Sequence, residues 1–395
     1  MRRWTLTVDL MTAPKVAIVG PGLMGQGIAR VMQRAGWPVL LLGREATADD
    51  AGLRVRLADC DLAIETVPED RALKTQLLGR LQRALPAHAL LASNTSGLPI
   101  GGLGAGLADP GRFLGLHFFS PVERMRLVEV VAGAETGEAA VQQALAWMQA
   151  LGQAPVRVRD GPGFFTSRVF AAYLDEAVAM VGEGVEVARI EAAGLALGRA
   201  IGPLALLDQI GLRLNLQQAR QALADGLPAR FCRPLALPVL ARLVAAGRCG
   251  RREGGGFFDR RASGERQPWP GLPGLFPLAP AQPDAVALQA RLRWVEVLEA
   301  LRCLEEGVLA NADDADTASL LGLGFPAATG GVLRWAEGLG LASLVATADR
   351  LAAAHGSRFE ASAWLRERAG LGQGLQAWRQ AAAPATHPSA SPPTP

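Results

Sequence analysis

The sequence predicts a doubly wound α/β sheet followed by two all-α domains related by internal duplication. Three observations carry that expectation. Short runs of β-branched and aliphatic residues alternate with amphipathic helical patterns as far as Asp160. The first run, KVAIVG, leads straight into closely spaced glycines and a helix. Beyond Asp160 the strand pattern stops, and one set of helix and glycine signals occurs twice.

In chain order, KVAIVG reads as a buried strand, and Gly20-Pro21-Gly22-Leu23-Met24-Gly25 opens a helix that runs through Arg34. Strand, glycines and helix in this order form the dinucleotide-binding arrangement of a Rossmann-type sheet. Gly20 permits a tight turn, Gly22 lets backbone approach a pyrophosphate, and Gly25 allows close helix packing. The helix start, at Leu23 and Met24, supplies amide donors and a positive dipole end to phosphates. The next strand, Val39 to Leu42, ends at Gly43-Arg44, where NAD recognition favours an acidic residue. Arg44 therefore keeps NADP open beside NAD, by pairing with a 2′-phosphate; stacking on the adenine is the other reading.

Two more strands follow, Leu62 to Val67 in DLAIETVPEDRALK and then HALLASNTS. Their ends put Glu69, Lys74, Asn94 and Ser96 at the nicotinamide half of a cofactor crevice. Glu69 and Asp70 can also serve as favourable charges at a helix start, and Ser93 to Ser96 as a cap. FLGLHFFSPVERMRLVEVV then sets one histidine and one carboxylate in two apolar strands, broken at Ser120-Pro121. Folding back about Glu123 makes His117 and Glu129 cross-strand neighbours. A carboxylate on one ring nitrogen fixes the tautomer, which suits a general base near neutral pH. The alternative is a core histidine with satisfied hydrogen bonds.

A net charge of +3, with Arg interleaved among Asp and Glu, gives no basic block for nucleic acid, so a small-molecule ligand is expected. Cys60, Cys232, Cys249 and Cys303 lack metal-ligand spacing and read as reduced thiols of a cytoplasmic chain. No metal is expected. No apolar run approaches the roughly 20 residues that span a bilayer, so no membrane role is expected, and MRRWTLTVDLMTAP is too polar and short for a secretory signal. Met11 is an alternative start.

The duplication shows in the glycines. Glu183-Gly184, Gly198 and Gly202-Pro203 are echoed by Glu306-Gly307, Gly324 and Gly330-Gly331, each set preceded by an amphipathic pattern, Tyr173 to Val181 and Val295 to Leu304. The expected domains are 13–160 for the nucleotide-binding sheet, 161–262 for the first helical copy and 286–380 for the second. A Pro-rich linker free of helix over 263–285 separates the copies, and residues 381–395 form a disordered tail.

GPGLMGQGIA, DLAIETVPED, SNTS, GLHFFSPV, RLVEVV, GPGFFTSR, GRAIGPLALLD and AGRCGRREGGGFF together resemble the L-3-hydroxyacyl-CoA dehydrogenase family, from about Lys15 to Asp259. Trp294 to Trp335 resembles the second C-terminal copy of the fatty-acid oxidation multifunctional enzyme, so the chain looks like its dehydrogenase portion without the hydratase half. The resemblance implies an acyl-CoA thioester substrate, with His117 taking the proton of a 3-hydroxyl, Glu129 orienting it and Ser96 bonding the reacting oxygen. Ser167 stands where the family has an asparagine that helps hold the substrate carbonyl. The family also inserts a helical pair that contacts the CoA nucleotide, whereas only about eighteen residues join Gly43 to Asp61 here, too few for it. A carrier-protein-bound or free hydroxy acid, or a low-activity cofactor-binding subunit of an acyl-CoA assembly, therefore stands beside the acyl-CoA enzyme. The simple family members dimerise through the helical domain, and a second copy can occupy that face internally, which implies a monomer or a dimer through another surface.

Overall fold

The computed structural model describes residues 13–43, 49–261 and 263–379, in two compact units that divide between Phe164 and Phe165. Seven strands form the sheet of the first unit: β1 (Val16–Val19), β2 (Val39–Leu42), β3 (Leu62–Glu65), β4 (Leu90–Ser93), β5 (Phe113–Phe118), β6 (Leu127–Ala132) and β7 (Ala154–Arg159). Their order is β2-β1-β3-β4-β5-β6-β7, and only β5 and β6 pair antiparallel.

Parallel strands covered on both faces need continuous apolar runs, and β1 and β3 are buried along their whole length. Five helices accompany the sheet: α1 (Leu23–Arg34), α2 (Asp50–Leu57), α3 (Arg71–Ala84), α4 (Ile100–Gly104) and α5 (Glu138–Ala150). Ile28 and Met32 of α1 and Val141 and Trp147 of α5 share one core with Ile18, Ile64, Leu116 and Val128 of the sheet. Among the described residues, α2 is the one helix between β2 and β3, and Asp49 caps it through the amides of Ala51 and Gly52.

The second unit begins with α6 (Thr166–Gly182), α7 (Val187–Ala196), α8 (Pro203–Ile210), α9 (Leu212–Ala224) and α10 (Ala236–Ala245). A two-stranded hairpin follows, β8 (Phe258–Arg260) with β9 (Arg266–Pro268), and then one turn of helix, α11 (Leu272–Leu275). The chain continues through α12 (Ala285–Glu305), α13 (Ala312–Leu321), α14 (Val332–Leu339), α15 (Leu341–His355), α16 (Ala363–Gly370) and α17 (Gln376–Arg379).

The linker expected over 263–285 needs correction. It supplies β9 and α11, and Pro273 sits in the first turn of α11, where a missing N–H removes no helical bond. Leu272 and Phe276 are buried in one core with Tyr173 of α6 and Leu288 and Leu292 of α12. The segments 161–262 and 286–380 therefore share a core rather than being joined by a free spacer. The tail expected over 381–395 lies outside the described residues.

Both copies use the same fittings. Gly184 and Gly307 take left-handed conformations after α6 and α12, with φ of 83° and 67°, where a side chain would be strained. Glu191 of α7 accepts the amides of Leu204 and Ala205 at the start of α8, and Asp316 of α13 does the same for Leu333 and Arg334 of α14. Asp208 of α8 holds the amides of Phe257 and Phe258 at 2.9 Å, and Glu337 of α14 holds that of Leu375.

An ionic lattice joins the copies with the pattern of a two-fold axis, in which each contact recurs with its partners exchanged. Arg168 of α6 bonds Glu299 and Glu306 of the second copy; Arg291 of α12 bonds Glu176 and Glu183 of the first. Arg230 and Arg358 complete it on Glu306 and Glu183.

Candidate active site

The glycine turn is tightened from below. Gly20 has φ 118°, and a Cβ on Gly25 would lie 1.9 Å from the Gly20 carbonyl oxygen, so neither position admits a side chain. Thr66, just after β3, donates its hydroxyl to the Gly20 carbonyl at 2.7 Å, locking the turn to the neighbouring strand. Gly22 precedes α1, whose first amides receive no side-chain cap, and a Cβ there would meet nothing within 4 Å. Leu23 is 67% exposed beside it. Free amides, a positive helix end and open space above a glycine fit the pyrophosphate of a dinucleotide. Arg44 lies outside the described residues, so the 2′-phosphate reading has no structural account.

The β5–β6 hairpin pairs His117 with Glu129 in register, as folding about Glu123 requires. His117 Nδ1 is 2.7 Å from Glu129 Oε2, and the carboxylate is fully buried in β6. The histidine is 6% exposed. With the carboxylate on Nδ1, that nitrogen carries the proton and Nε2 keeps its lone pair. The imidazole lies beside the ring of Phe119 at 4.3 Å and that of Phe164 at 6.1 Å, centroid to centroid.

At the ends of β3 and β4 a buried network replaces loose polar residues. Lys74 is 1% exposed and donates to both oxygens of Glu65 and to the Val67 carbonyl, with Glu69 Oε2 at 3.4 Å. Its partners are thus protein groups, and it holds Glu69 in place. Glu69 Oε1 accepts the Thr95 hydroxyl at 2.6 Å and the Ser96 amide at 3.1 Å, leaving the exposed Ser96 hydroxyl at 3.4 Å. The alternative reading of the acidic pair divides cleanly: Asp70 caps α3 through the Leu73 amide, and Glu69 does not. Asn94 Oδ1 accepts the Phe118 amide, tying the end of β4 to the residue after His117. Ser167 is half-buried in the first turn of α6, in the second unit.

Sequence reasoning did not single out Thr66, Glu65 or Phe164. Each stands in a motif already quoted, but its role comes from a partner on a different strand or turn. Among the described residues no group of His, Cys, Asp and Glu could hold a metal ion, and no helix is long and apolar enough to cross a membrane.

A mostly parallel sheet with an open glycine turn, joined to an imidazole–carboxylate pair on its one antiparallel strand pair, places the chain among the dinucleotide-binding dehydrogenases. It belongs to the 3-hydroxyacyl-CoA dehydrogenase family: that family's NAD binding domain matches residues 15–56 and 52–161, and its C-terminal domain matches residues 163–260. The chain is 35% identical over 320 residues to the fatty acid oxidation complex subunit alpha of Shewanella sp. (strain MR-4), covering 79% of this chain and 44% of that protein. It thus spans about half the length of that relative. The crystal structure of 3-hydroxybutyryl-CoA dehydrogenase from Escherichia coli K12 matches 91% of this chain and 99% of its own, with 27% identity and a TM-score of 0.72. That of M. tuberculosis FadB2 matches 63% of this chain and all of its own, with 33% identity and a TM-score of 0.57.

Proposed function

We propose that this protein interconverts L-3-hydroxyacyl-CoA and 3-ketoacyl-CoA with NAD as the coenzyme. The observation that carries the reading is the 2.7 Å contact of His117 Nδ1 with the buried Glu129, which leaves Nε2 as the basic edge. His117 takes the proton of the substrate's 3-hydroxyl at Nε2, and Glu129 stabilises the imidazolium that forms, as a buried carboxylate does beside a catalytic histidine. Ser96, whose backbone amide is held by Glu69, turns its hydroxyl from the 3.4 Å contact with that carboxylate to donate to the same oxygen, where it steadies the charge that develops. Gly20, Gly22, Gly25 and the amides at Leu23 and Met24 hold the coenzyme phosphates. When bound, the nicotinamide supplies the acceptor for the hydrogen and electron pair leaving the carbinol carbon. In reverse, protonated His117 returns its proton to the oxygen of the 3-ketone. Ser167 is proposed at the thioester carbonyl, through its hydroxyl or a bridging water.

Mixing the purified protein with acetoacetyl-CoA and NADH, and following loss of the reduced coenzyme, tests the reading. His117→Ala is expected to lower turnover by roughly a hundred- to ten-thousandfold. Absence of oxidation with 3-ketoacyl-CoAs of every length tried overturns the proposal. The eight-residue α2, among the described residues the one helix between β2 and β3, favours a second reading, a dehydrogenase of a free or carrier-protein-bound hydroxy acid. Activity on those substrates and none on the CoA thioester would select it.

A further inference from the structure

We propose that Phe164 is a positioning residue for His117, held against the imidazole by a left-handed turn that also braces the loop carrying Ser96. The role rests on His117 as the base, although its first readout needs no turnover. Gly161-Pro162-Gly163-Phe164 ends the first unit, with the Phe164 amide donating to the Gly161 carbonyl at 3.1 Å. Gly163 and Phe164 are left-handed in succession, with φ of 74° and 52°. Glycine adopts that conformation freely, whereas a bulky aromatic residue is strained in it and stays only where its surroundings over-determine it.

What fixes Phe164 is packing. It is 1% exposed, and its ring lies 6.1 Å from the imidazole at an interplanar angle of 57°. Phe119 lies 4.3 Å from the same imidazole at 48°. With Glu129 on Nδ1 and two phenyl rings beside it, the imidazole has one orientation that keeps its carboxylate bond, and that orientation leaves Nε2 free. A ring that merely filled space would not need a left-handed backbone to reach its place.

The same turn touches the second functional loop. A Cβ on Gly97 would lie 3.7 Å from the Gly163 Cα, so the backbone beside Ser96 rests on it. Asp160, just upstream, accepts the amides of Ile100 and Gly101, each at 2.8 Å, and fixes the far end of that loop. One short segment, Asp160 to Phe164, therefore sets where both the base and the hydroxyl donor stand. Preorganisation of this kind matters because displacement by about an ångström costs a rate of the order of a hundredfold.

The test compares Phe164→Met, which roughly conserves volume without a ring, with the wild-type protein by 15N NMR of histidine-labelled full-length chain. The His117 signals are assigned by their loss in His117→Ala. Wild type is expected to show one tautomer, protonated at Nδ1, and Phe164→Met a mixture or exchange broadening. Turnover of Phe164→Met is expected to fall about tenfold to a hundredfold, with the KM for NADH changed less than about twofold. A folded Phe164→Met with unchanged His117 signals and turnover overturns the proposal, as does a wild-type imidazole that already exchanges between tautomers. The latter measurement decides even if the variant does not fold. Retained turnover in His117→Ala would defeat the base assignment, while the tautomer comparison would still judge Phe164.

Discussion

The two helical copies in the second unit have the same frame and different surroundings. Both have a left-handed glycine after the long helix, a carboxylate capping the third helix from the second, and a carboxylate on the third helix holding a later segment. Arg168, Glu176 and Glu183 in one copy recur as Arg291, Glu299 and Glu306 in the other with identical spacing, and each triplet bonds the other. The residue before the arginine differs: Ser167 in the first copy, Ala290 in the second. The second copy has kept what binds it to the first and lacks the polar residue proposed at the substrate. Frame and chemistry are thus separable in this fold.

Perturbing matched positions sharpens that comparison, and the largest effect belongs to the lattice. Each of the two carboxylates holds two arginines, Glu176 with Arg291 and Arg358 and Glu299 with Arg168 and Arg302, but Glu176 is fully buried and the Glu299 side chain is 9% exposed. Removing one partner of a buried pair strands the other charge, so Glu176→Gln is expected to destabilise the chain by about 3–5 kcal/mol in urea unfolding. Glu299→Gln is expected to lose less, and equal losses would remove the asymmetry.

Next comes Asp208, whose carboxyl is pushed up to about 6 by burial, opposed by its bonds to the Phe257 and Phe258 amides. An unfolded aspartate releases its proton near the ordinary value of 3.8. Between those values the folded chain binds more protons than the unfolded one, so stability falls as pH rises through the window. The decline is about 3 kcal/mol and is complete above about pH 6. Asp208→Asn should flatten it in urea midpoints taken at about pH 4 and 7, and an unaltered slope would assign it elsewhere.

The smallest effect is at the matched caps. Glu191→Ala is expected to cost about 1 kcal/mol. Asp316→Ala should cost nearer to about 2 kcal/mol, because Asp316 also pairs with Arg379. Thermal unfolding of the two variants orders them, and a larger loss at Glu191 would reverse the assignment.

Much of the first unit was legible because its signals are local. Gly20, Gly22 and Gly25 declare a turn by spacing alone, and the bend about Glu123 puts His117 opposite Glu129 by counting along two strands. The direction of a side chain was not legible. Lys74 reads as a cation at the nicotinamide half of the crevice, yet Glu65 draws its ammonium into a buried pair, from a strand whose face periodicity does not specify. The proline-rich stretch misled for a related reason: Pro273 stops a helix in its middle and suits its first turn, and which applies depends on where Leu272 finds a core. The ionic lattice left a trace in the repeated Arg and Glu spacing, but the bond from each triplet to the other is tertiary information.

The antiparallel turn between β5 and β6 has an evolutionary consequence. Strand side chains alternate between the two faces of a sheet, so a one-residue slip of β6 against β5 would carry Glu129 to the opposite face from His117. Gaps among functional descendants should therefore be absorbed within the turn, with the pairing of His117 against Glu129 inherited as strictly as the two residues themselves.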